Sequence, residues 1–186
     1  MQIKKTKMPG CYEIFPIIFK DQRGLFVKIF NEKFFAENNL CFEYAEDFYT
    51  FSVKGVLRGL HFQIPPSDYI KLVSCVSGEI IDVLVDLRIG SPTYGQFELF
   101  NLNSEKGNIL YIPSGLAHGF YVVSDNAIVT YKVSNLYIPK DDEGILWNSL
   151  KIPWPNKKPI ISERDKNFLP FSDFKSPFKF LGEKGI

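Results

Sequence analysis

The sequence has few histidines and cysteines that could bind zinc, and no concentration of basic residues that could bind a nucleic acid. Its 186 residues include only two histidines and three cysteines, and Cys11, Cys41 and Cys75 form no CxxC or Cys/His spacing. The net charge is +1 with no long run of one sign, whereas a nucleic-acid-binding chain usually presents a basic face. We therefore expect no nucleic-acid partner, and we interpret the cysteines as reduced, partly buried thiols of a cytoplasmic protein.

Long hydrophobic runs are also missing. The longest early apolar run, residues 14–19, contains Pro16 and is too short for a signal-peptide core or a membrane span. What the chain does have is 45% apolar residues, with 18 Phe among them, so we expect one packed domain over residues 1–186. We expect it to be cytoplasmic and without membrane contact, and we interpret the basic start, MQIKKTK, as a solvated terminus.

Short strand-like runs dominate the chain. A first strand over residues 11–19 is interrupted by Pro16, which suggests a sheet edge; a second strand covers 25–30, and Asn31 can cap one short helix. Turn clusters separate the later runs, as is typical of a β-sandwich or small barrel. These runs are 42–51, 56–62, 70–76, 79–86, 95–102, 108–112, 119–123 and 127–133. Residues 141–144 read as a turn, and 152–155 as an extended segment packed outside the barrel.

Residues 55–86 hold the first candidate site. His61 lies in an otherwise apolar strand, with Gly59 on its face of the strand, Arg58 three positions earlier and Lys71 ten positions later. An imidazole is the natural base near neutral pH, although a lone strand histidine is more often structural. The grouping predicts a base, a buried cation and an anion-binding guanidinium in one part of the fold.

Three further side chains have both an ordinary and a functional interpretation. His118 follows a PSG turn, which places it at a strand entrance, and together with His61 it offers a metal site as an alternative; the HxH pair with a downstream Glu used by many metal-binding barrels is absent. Tyr131 is either a core residue or a pocket residue. Asp165 is either a surface carboxylate or a partner that orients a histidine.

Five stretches carry a family resemblance: VLRGLHFQ, KLVSCVSGEIIDVLVDLRIGSPTYG, YIPSGLAHGF, YKVSNLYIP and GILWN. Over residues 21–165 the chain resembles the dTDP-4-dehydrorhamnose 3,5-epimerase family. The resemblance implies an all-β fold, a cupin-type double-stranded β-helix (jelly roll) with a few short helices. It also implies a homodimer, with N-terminal strands exchanged between subunits, that uses neither metal nor organic cofactor.

The resemblance assigns four catalytic roles. His61 matches the general base, Asp165 the carboxylate that holds and polarises it, Tyr131 the acid on the opposite face of the sugar, and Lys71 the cation near the C4 carbonyl oxygen. A base and an acid on two sides of one carbon, with a cation at the developing enolate, are what inversion next to a ketone requires.

The remaining matched positions imply nucleotide and sugar contacts. Arg58 matches a pyrophosphate ligand, Tyr137 an aromatic that stacks on the base, and Arg23 and Phe26 residues lent by the neighbouring subunit. The full set of expected substrate-binding residues is Arg23, Phe26, Lys28, Glu46, Arg58, His118, Tyr137, Asp142 and Arg164.

The chain departs from the family pattern where the nucleotide and sugar are read. Lys28 stands where Glu is usual, Ile70 where Gln or Gly is usual, and EDFYT, beginning at Glu46, where Gln-x-Asn-x-Ser is usual. Ordinary drift explains such changes, as does another substrate: a guanine or cytosine nucleotide, a 4-keto heptose, or inversion at C3 or C5 alone. The rival activities are a 3,4-ketoisomerase on the same barrel and a catalytically silent sugar-nucleotide-binding barrel.

Overall fold

The computed structural model describes residues 1–40 and 43–182, so the predicted thiol of Cys41 and the start of the predicted 42–51 strand lie outside the described residues. Short helices α1 (Glu32–Glu37) and α2 (Glu163–Lys166) and a 3₁₀ helix (Phe171–Asp173) accompany the strands. The strands are β1 (Gln2–Lys5), β2 (Tyr12–Phe15), β3 (Ile18–Asp21), β4 (Gly24–Val27), β5 (Glu46–Val53), β6 (Leu57–Gln63), β7 (Lys71–Ser77), β8 (Glu79–Asp86), β9 (Phe97–Asn103), β10 (Ile109–Ile112), β11 (Leu116–Val122), β12 (Asn126–Val133) and β13 (Asp142–Gly144).

Two antiparallel sheets face each other. One has the order β1-β2-β10-β7-β12-β5 and the other β13-β6-β11-β8-β9, while β3 and β4 form a separate hairpin. Val73 and Val129 from the first sheet pack against Leu84 and Phe120 from the second. Because side chains alternate along a strand, one face of each sheet is free to build this shared core. The expected all-β jelly roll is confirmed.

The outer face of the five-stranded sheet is covered by the C-terminal part of the chain. Val83 and Val85, which alternate with core residue Leu84, pack with Ile152 and Phe178 in a second apolar cluster. This explains why β8 carries apolar residues on both faces, and it confirms that the 152–155 segment packs outside the barrel. No helix among residues 1–40 and 43–182 has the length and apolar character to cross a bilayer.

The predicted elements from β5 to β12 and helix α1 are confirmed, with ends shifted by a few residues. The Asn31 side chain caps α1 by accepting a hydrogen bond from the Phe34 N–H at 3.0 Å. Helix α2 was missed because it is a single turn of four residues, too short to show a helical repeat.

One expectation about the first strands is wrong and another is incomplete. The basic terminus is largely solvent-exposed, as expected, but it also forms β1, which pairs with β2 and occupies the sheet edge, so that β2 lies inside the sheet between β1 and β10. Pro16 follows the last residue of β2 and takes no ladder position. The predicted turn at 141–144 is also wrong in part, since β13 pairs there with β6.

Candidate active site

A pocket of about 540 Å³ opens between the two sheets. His61 reaches it from β6 of the five-stranded sheet, and Tyr131 reaches it from β12 of the six-stranded sheet. The strand pattern explains this, because the residues next to His61 on β6, Leu60 and Phe62, turn to the outer cluster. The predicted site residues that line the pocket are Glu46, Arg58, His61, Lys71, His118, Tyr131, Tyr137, Asp142 and Arg164.

Asp165 lies behind His61. Its Oδ1 is 2.9 Å from His61 Nε2, and its Oδ2 accepts a hydrogen bond from the Gly59 N–H at 3.1 Å. Ser162 caps α2 by accepting from the Asp165 N–H, so the helix start fixes the carboxylate. Asp165 is only 3% exposed, which rules out the surface interpretation. With the carboxylate accepting from Nε2–H, Nδ1 is the ring nitrogen left to take a proton.

The charge of Asp165 is stabilised where it sits. Burial pushes the pKa of this carboxyl upward, but the hydrogen bonds from His61 and Gly59 outweigh burial and hold the pKa below its usual value. An ionised Asp165 fixes the imidazole tautomer, and its negative charge would stabilise an imidazolium at this position.

A second histidine–carboxylate pair lies deeper in the barrel. His118 Nε2 is 2.7 Å from Asp82 Oδ2, both residues are buried, and Asp82 Oδ1 makes no hydrogen bond with any described residue. Burial lowers the pKa of His118 and raises that of Asp82. Sequence reasoning missed the role of Asp82, although a carboxylate in the otherwise apolar strand β8 was the available signal.

The position of His118 also corrects the sequence interpretation. It lies inside β11 and pairs in register with His61 rather than sitting at a strand entrance. Each histidine directs Nε2 to its own carboxylate, and the described residues contain no group of three His, Cys, Asp or Glu side chains suited to hold a metal ion.

Lys71 is buried at the start of β7. Its Nζ donates to the His61 carbonyl oxygen at 3.2 Å and lies 5.1 Å from the centre of the Tyr69 ring. Burial lowers the pKa of Lys71 to about 8, against the opposing pull of Asp142 and Asp82. Because its hydrogen bond goes to a neutral carbonyl, the ammonium keeps its charge available to a ligand oxygen.

Tyr131 is 7% exposed and is held between two rings. Phe48 stacks on it with ring centres 4.8 Å apart, and the His118 ring meets it edge-on at 6.0 Å. Burial raises the pKa of the phenol, so Tyr131 stays protonated at neutral pH and can donate a proton.

The pocket mouth carries a set of polar contacts. Arg58 Nε donates to Ser52 Oγ at 2.9 Å and Arg58 Nη2 donates to the Phe51 carbonyl oxygen at 3.4 Å, and the remaining guanidinium N–H groups are available to an anion. Asp142 accepts from Arg164 at 2.8 Å and from the Tyr137 hydroxyl at 3.0 Å.

Glu46 faces the same mouth. One of its carboxylate oxygens accepts the Tyr137 N–H at 3.1 Å, and the side chain lines the pocket without an ion-pair partner among the described residues. The carboxylate has therefore not turned away from the site.

Three predicted binding residues do not reach this pocket within the described chain. Arg23 and Phe26 lie on the β3–β4 hairpin, where Asp21 accepts from Arg23 at 2.6 Å and Phe26 is 60% exposed. Lys28 follows the hairpin and is exposed. The role of Arg23 and Phe26 as residues lent to a neighbouring subunit stays a prediction, as does substrate binding by Lys28.

Comparisons with known proteins find similar chains in one enzyme family. The profile of the dTDP-4-dehydrorhamnose 3,5-epimerase family matches residues 5–173. A curated protein of that name from Shigella flexneri is 44% identical over 93% of this chain and 97% of its own length. A dTDP-4-dehydrorhamnose 3-epimerase from Streptomyces niveus is 37% identical over 91% of this chain and 83% of its length.

Solved structures with the same fold match nearly the whole chain. An epimerase from Legionella pneumophila in complex with dTDP-4-keto-L-rhamnose superposes with a TM-score of 0.91 at 34% identity, and 96% of this chain and 98% of that chain are covered. The epimerase from Sulfolobus tokodaii gives a TM-score of 0.88 at 34% identity over 96% of this chain and all of that chain.

Proposed function

Because the chain belongs to the dTDP-4-dehydrorhamnose 3,5-epimerase family and is an epimerase, we propose that His61 and Tyr131 invert C3, C5 or both in a nucleotide-linked 4-keto-6-deoxy sugar. The observation that carries this proposal is that these two side chains enter one pocket from facing sheets, with Lys71 buried beside them. A base and an acid on two sides of one ring carbon are the minimum that inversion requires.

The proposed reaction has two proton transfers. His61 takes the proton from the carbon beside the C4 ketone, and the electrons of that C–H bond move into an enolate whose oxygen faces the Lys71 ammonium. The Tyr131 hydroxyl then protonates the same carbon from the other side, and the carbonyl re-forms. The imidazolium and the phenolate return to their starting states by proton exchange with solvent. No redox step occurs, so the cycle needs no oxidant or reductant.

Each group makes a contribution of known size. A charged donor at the enolate oxygen is worth roughly 3–4 kcal/mol if it resembles one oxyanion-hole donor. Each proton-transfer group typically contributes about 10²–10⁴ in rate. Asp165 contributes by fixing His61, and the buried pocket strengthens the Lys71–enolate attraction because its walls exclude water.

Solvent deuterium uptake tests the proposal directly. The protein is incubated in D₂O with dTDP-4-keto-6-deoxyglucose, and C3 and C5 are followed by NMR. We expect deuterium at one or both centres together with the inverted product. A product with a moved carbonyl would instead identify a 3,4-ketoisomerase. No exchange with any keto-sugar nucleotide of a dTDP, GDP, CDP and UDP panel would favour the binding barrel.

The identity of the nucleotide base in the substrate is a proposal separate from the proton-transfer mechanism. The relatives named above act on dTDP sugars, and dTDP is our first candidate. The alternative is a cytosine or guanine nucleotide, and Glu46 supports it. The Glu46 carboxylate can only accept hydrogen bonds, and the amino groups of cytosine and guanine can donate them. Isothermal titration with dTDP, GDP, CDP and UDP decides between them, and a clear preference for dTDP would set the alternative aside.

We further propose a cytoplasmic homodimer, with N-terminal strands exchanged, in which Arg23, Phe26 and Lys28 complete the partner's site. The hairpin that carries Arg23 and Phe26 is exposed in the single chain, which supports this role. Mixing two inactive variants, Arg23→Ala and His61→Ala, tests it. A mixed dimer holds one site with both residues intact, so activity should return on mixing. If activity stays absent while mixed dimers form, Arg23 does not act across the interface.

A further inference from the structure

The ring of Phe48 lies nearly parallel to the ring of Tyr131. Their centres are 4.8 Å apart and their planes differ by 13°. The two residues are direct partners in the antiparallel β5–β12 register, and both line the pocket. Phe48 is 44% exposed while Tyr131 is 7% exposed, so Phe48 contributes little to the core and instead covers one face of the phenol.

A second ring limits the phenol from another direction. The His118 ring meets Tyr131 edge-on, with centres 6.0 Å apart at 73°, and His118 is itself held by Asp82. A tyrosine moves mainly by rotation about two side-chain torsions. With both His118 and Phe48 packed against the ring, rotation toward β5 requires the stack with Phe48 to break first.

We propose that Phe48 is a positioning residue that keeps the Tyr131 hydroxyl aimed at the reacting carbon, and thereby sets how often a removed proton is replaced with inversion. This rests on the proposed function, because it assigns to Phe48 the control of the second proton transfer. Phe48 is far less important for the first transfer, since His61 lies on the other sheet and is positioned by Asp165 of α2.

The test separates the two transfers within one reaction. In D₂O, a removal that ends without inversion leaves deuterium in recovered substrate once the proton on His61 has exchanged with solvent, and each completed turnover leaves deuterium in inverted product. We expect Phe48→Ala to keep total exchange within about threefold of wild type while the ratio of labelled substrate to product rises at least fivefold. Phe48→Leu, which keeps bulk but loses the flat ring, should raise the ratio by a smaller factor. Phe48→Tyr should restore the wild-type ratio.

Tyr49→Ala is the matched control. Tyr49 is the next aromatic residue on β5, is 69% exposed and pairs with Thr130 rather than with Tyr131, so the ratio should not change. Because the ratio is measured within one sample, it does not depend on how much protein is folded. An unchanged ratio in both Phe48→Ala and Phe48→Leu would overturn the role of Phe48, as would an equal rise in Tyr49→Ala. No exchange in the wild type would instead overturn the proposed function on which it rests.

Discussion

Replacing Lys71 by Met should make the protein more stable and nearly inactive. The Lys71 ammonium is buried and has no carboxylate hydrogen-bond partner among the described residues, and burial lowers its pKa from 10.5 to about 8. That difference corresponds to roughly 3 kcal/mol of unfavourable burial at neutral pH. Methionine keeps the unbranched stem and removes the charge, so we expect a gain of about 1–3 kcal/mol in unfolding free energy once packing losses are included.

The stability difference between wild type and Lys71→Met should depend on pH, and the lowered pKa of Lys71 fixes the direction of that dependence. The unfolded chain binds a proton at Lys71 up to a pKa near 10.5, whereas the folded chain releases it near pH 8. Between these values the unfolded state binds more protons, so wild-type stability rises with pH relative to the Met variant. The advantage of the variant should therefore be full below about pH 8 and shrink toward pH 10.5.

Urea unfolding at several pH values measures the stability, and deuterium uptake measures the activity. We expect exchange to fall by about 10²–10³-fold, the usual effect of losing one oxyanion donor. Lys151→Met, at an exposed position, serves as the control and should change neither quantity. A Met variant that is less stable than wild type, or a stability difference that does not vary with pH, would refute the reasoning about Lys71.

Two further substitutions give separate outcomes. Asp165→Asn removes the charge that holds His61 but keeps the volume of the side chain. Because a charged hydrogen bond worth about 1.5–3 kcal/mol is lost, deuterium exchange should slow about 10–150-fold. Unaltered exchange would show that His61 needs no carboxylate. Glu46→Gln removes a negative charge from the pocket mouth and should tighten dTDP binding roughly fivefold by titration calorimetry, about 1 kcal/mol. Equal dTDP affinities before and after would mean that Glu46 lies away from the diphosphate.

The strands could be predicted because their signals are local. Alternation and turn residues place β5 to β12 within a few residues, and the capping signal of Asn31 marks α1. The first strands could not be placed in the same way. β1 is a strand because its backbone pairs with that of β2. Nothing within MQIKK indicates that a partner strand will lie beside it.

Most of the residues that line the pocket were predictable from the motifs but not from spacing alone. Asp165 lies 104 residues after His61, and only the folded sheet and the cap of α2 bring the two together. Asp82 gave a local signal, a carboxylate among apolar residues, but no sequence feature names His118 as its partner. The stack of Phe48 on Tyr131 depends on the β5–β12 register, which sequence periodicity does not fix.

Comparing His61→Ala with Tyr131→Phe in D₂O separates proton removal from proton return. The proposed mechanism requires one group to remove the proton and a different group on the facing sheet to return it. It predicts that His61→Ala loses exchange at every centre, while Tyr131→Phe still labels recovered substrate and yields far less inverted product. Wild-type inversion by Tyr131→Phe, or rapid exchange by His61→Ala, would contradict it.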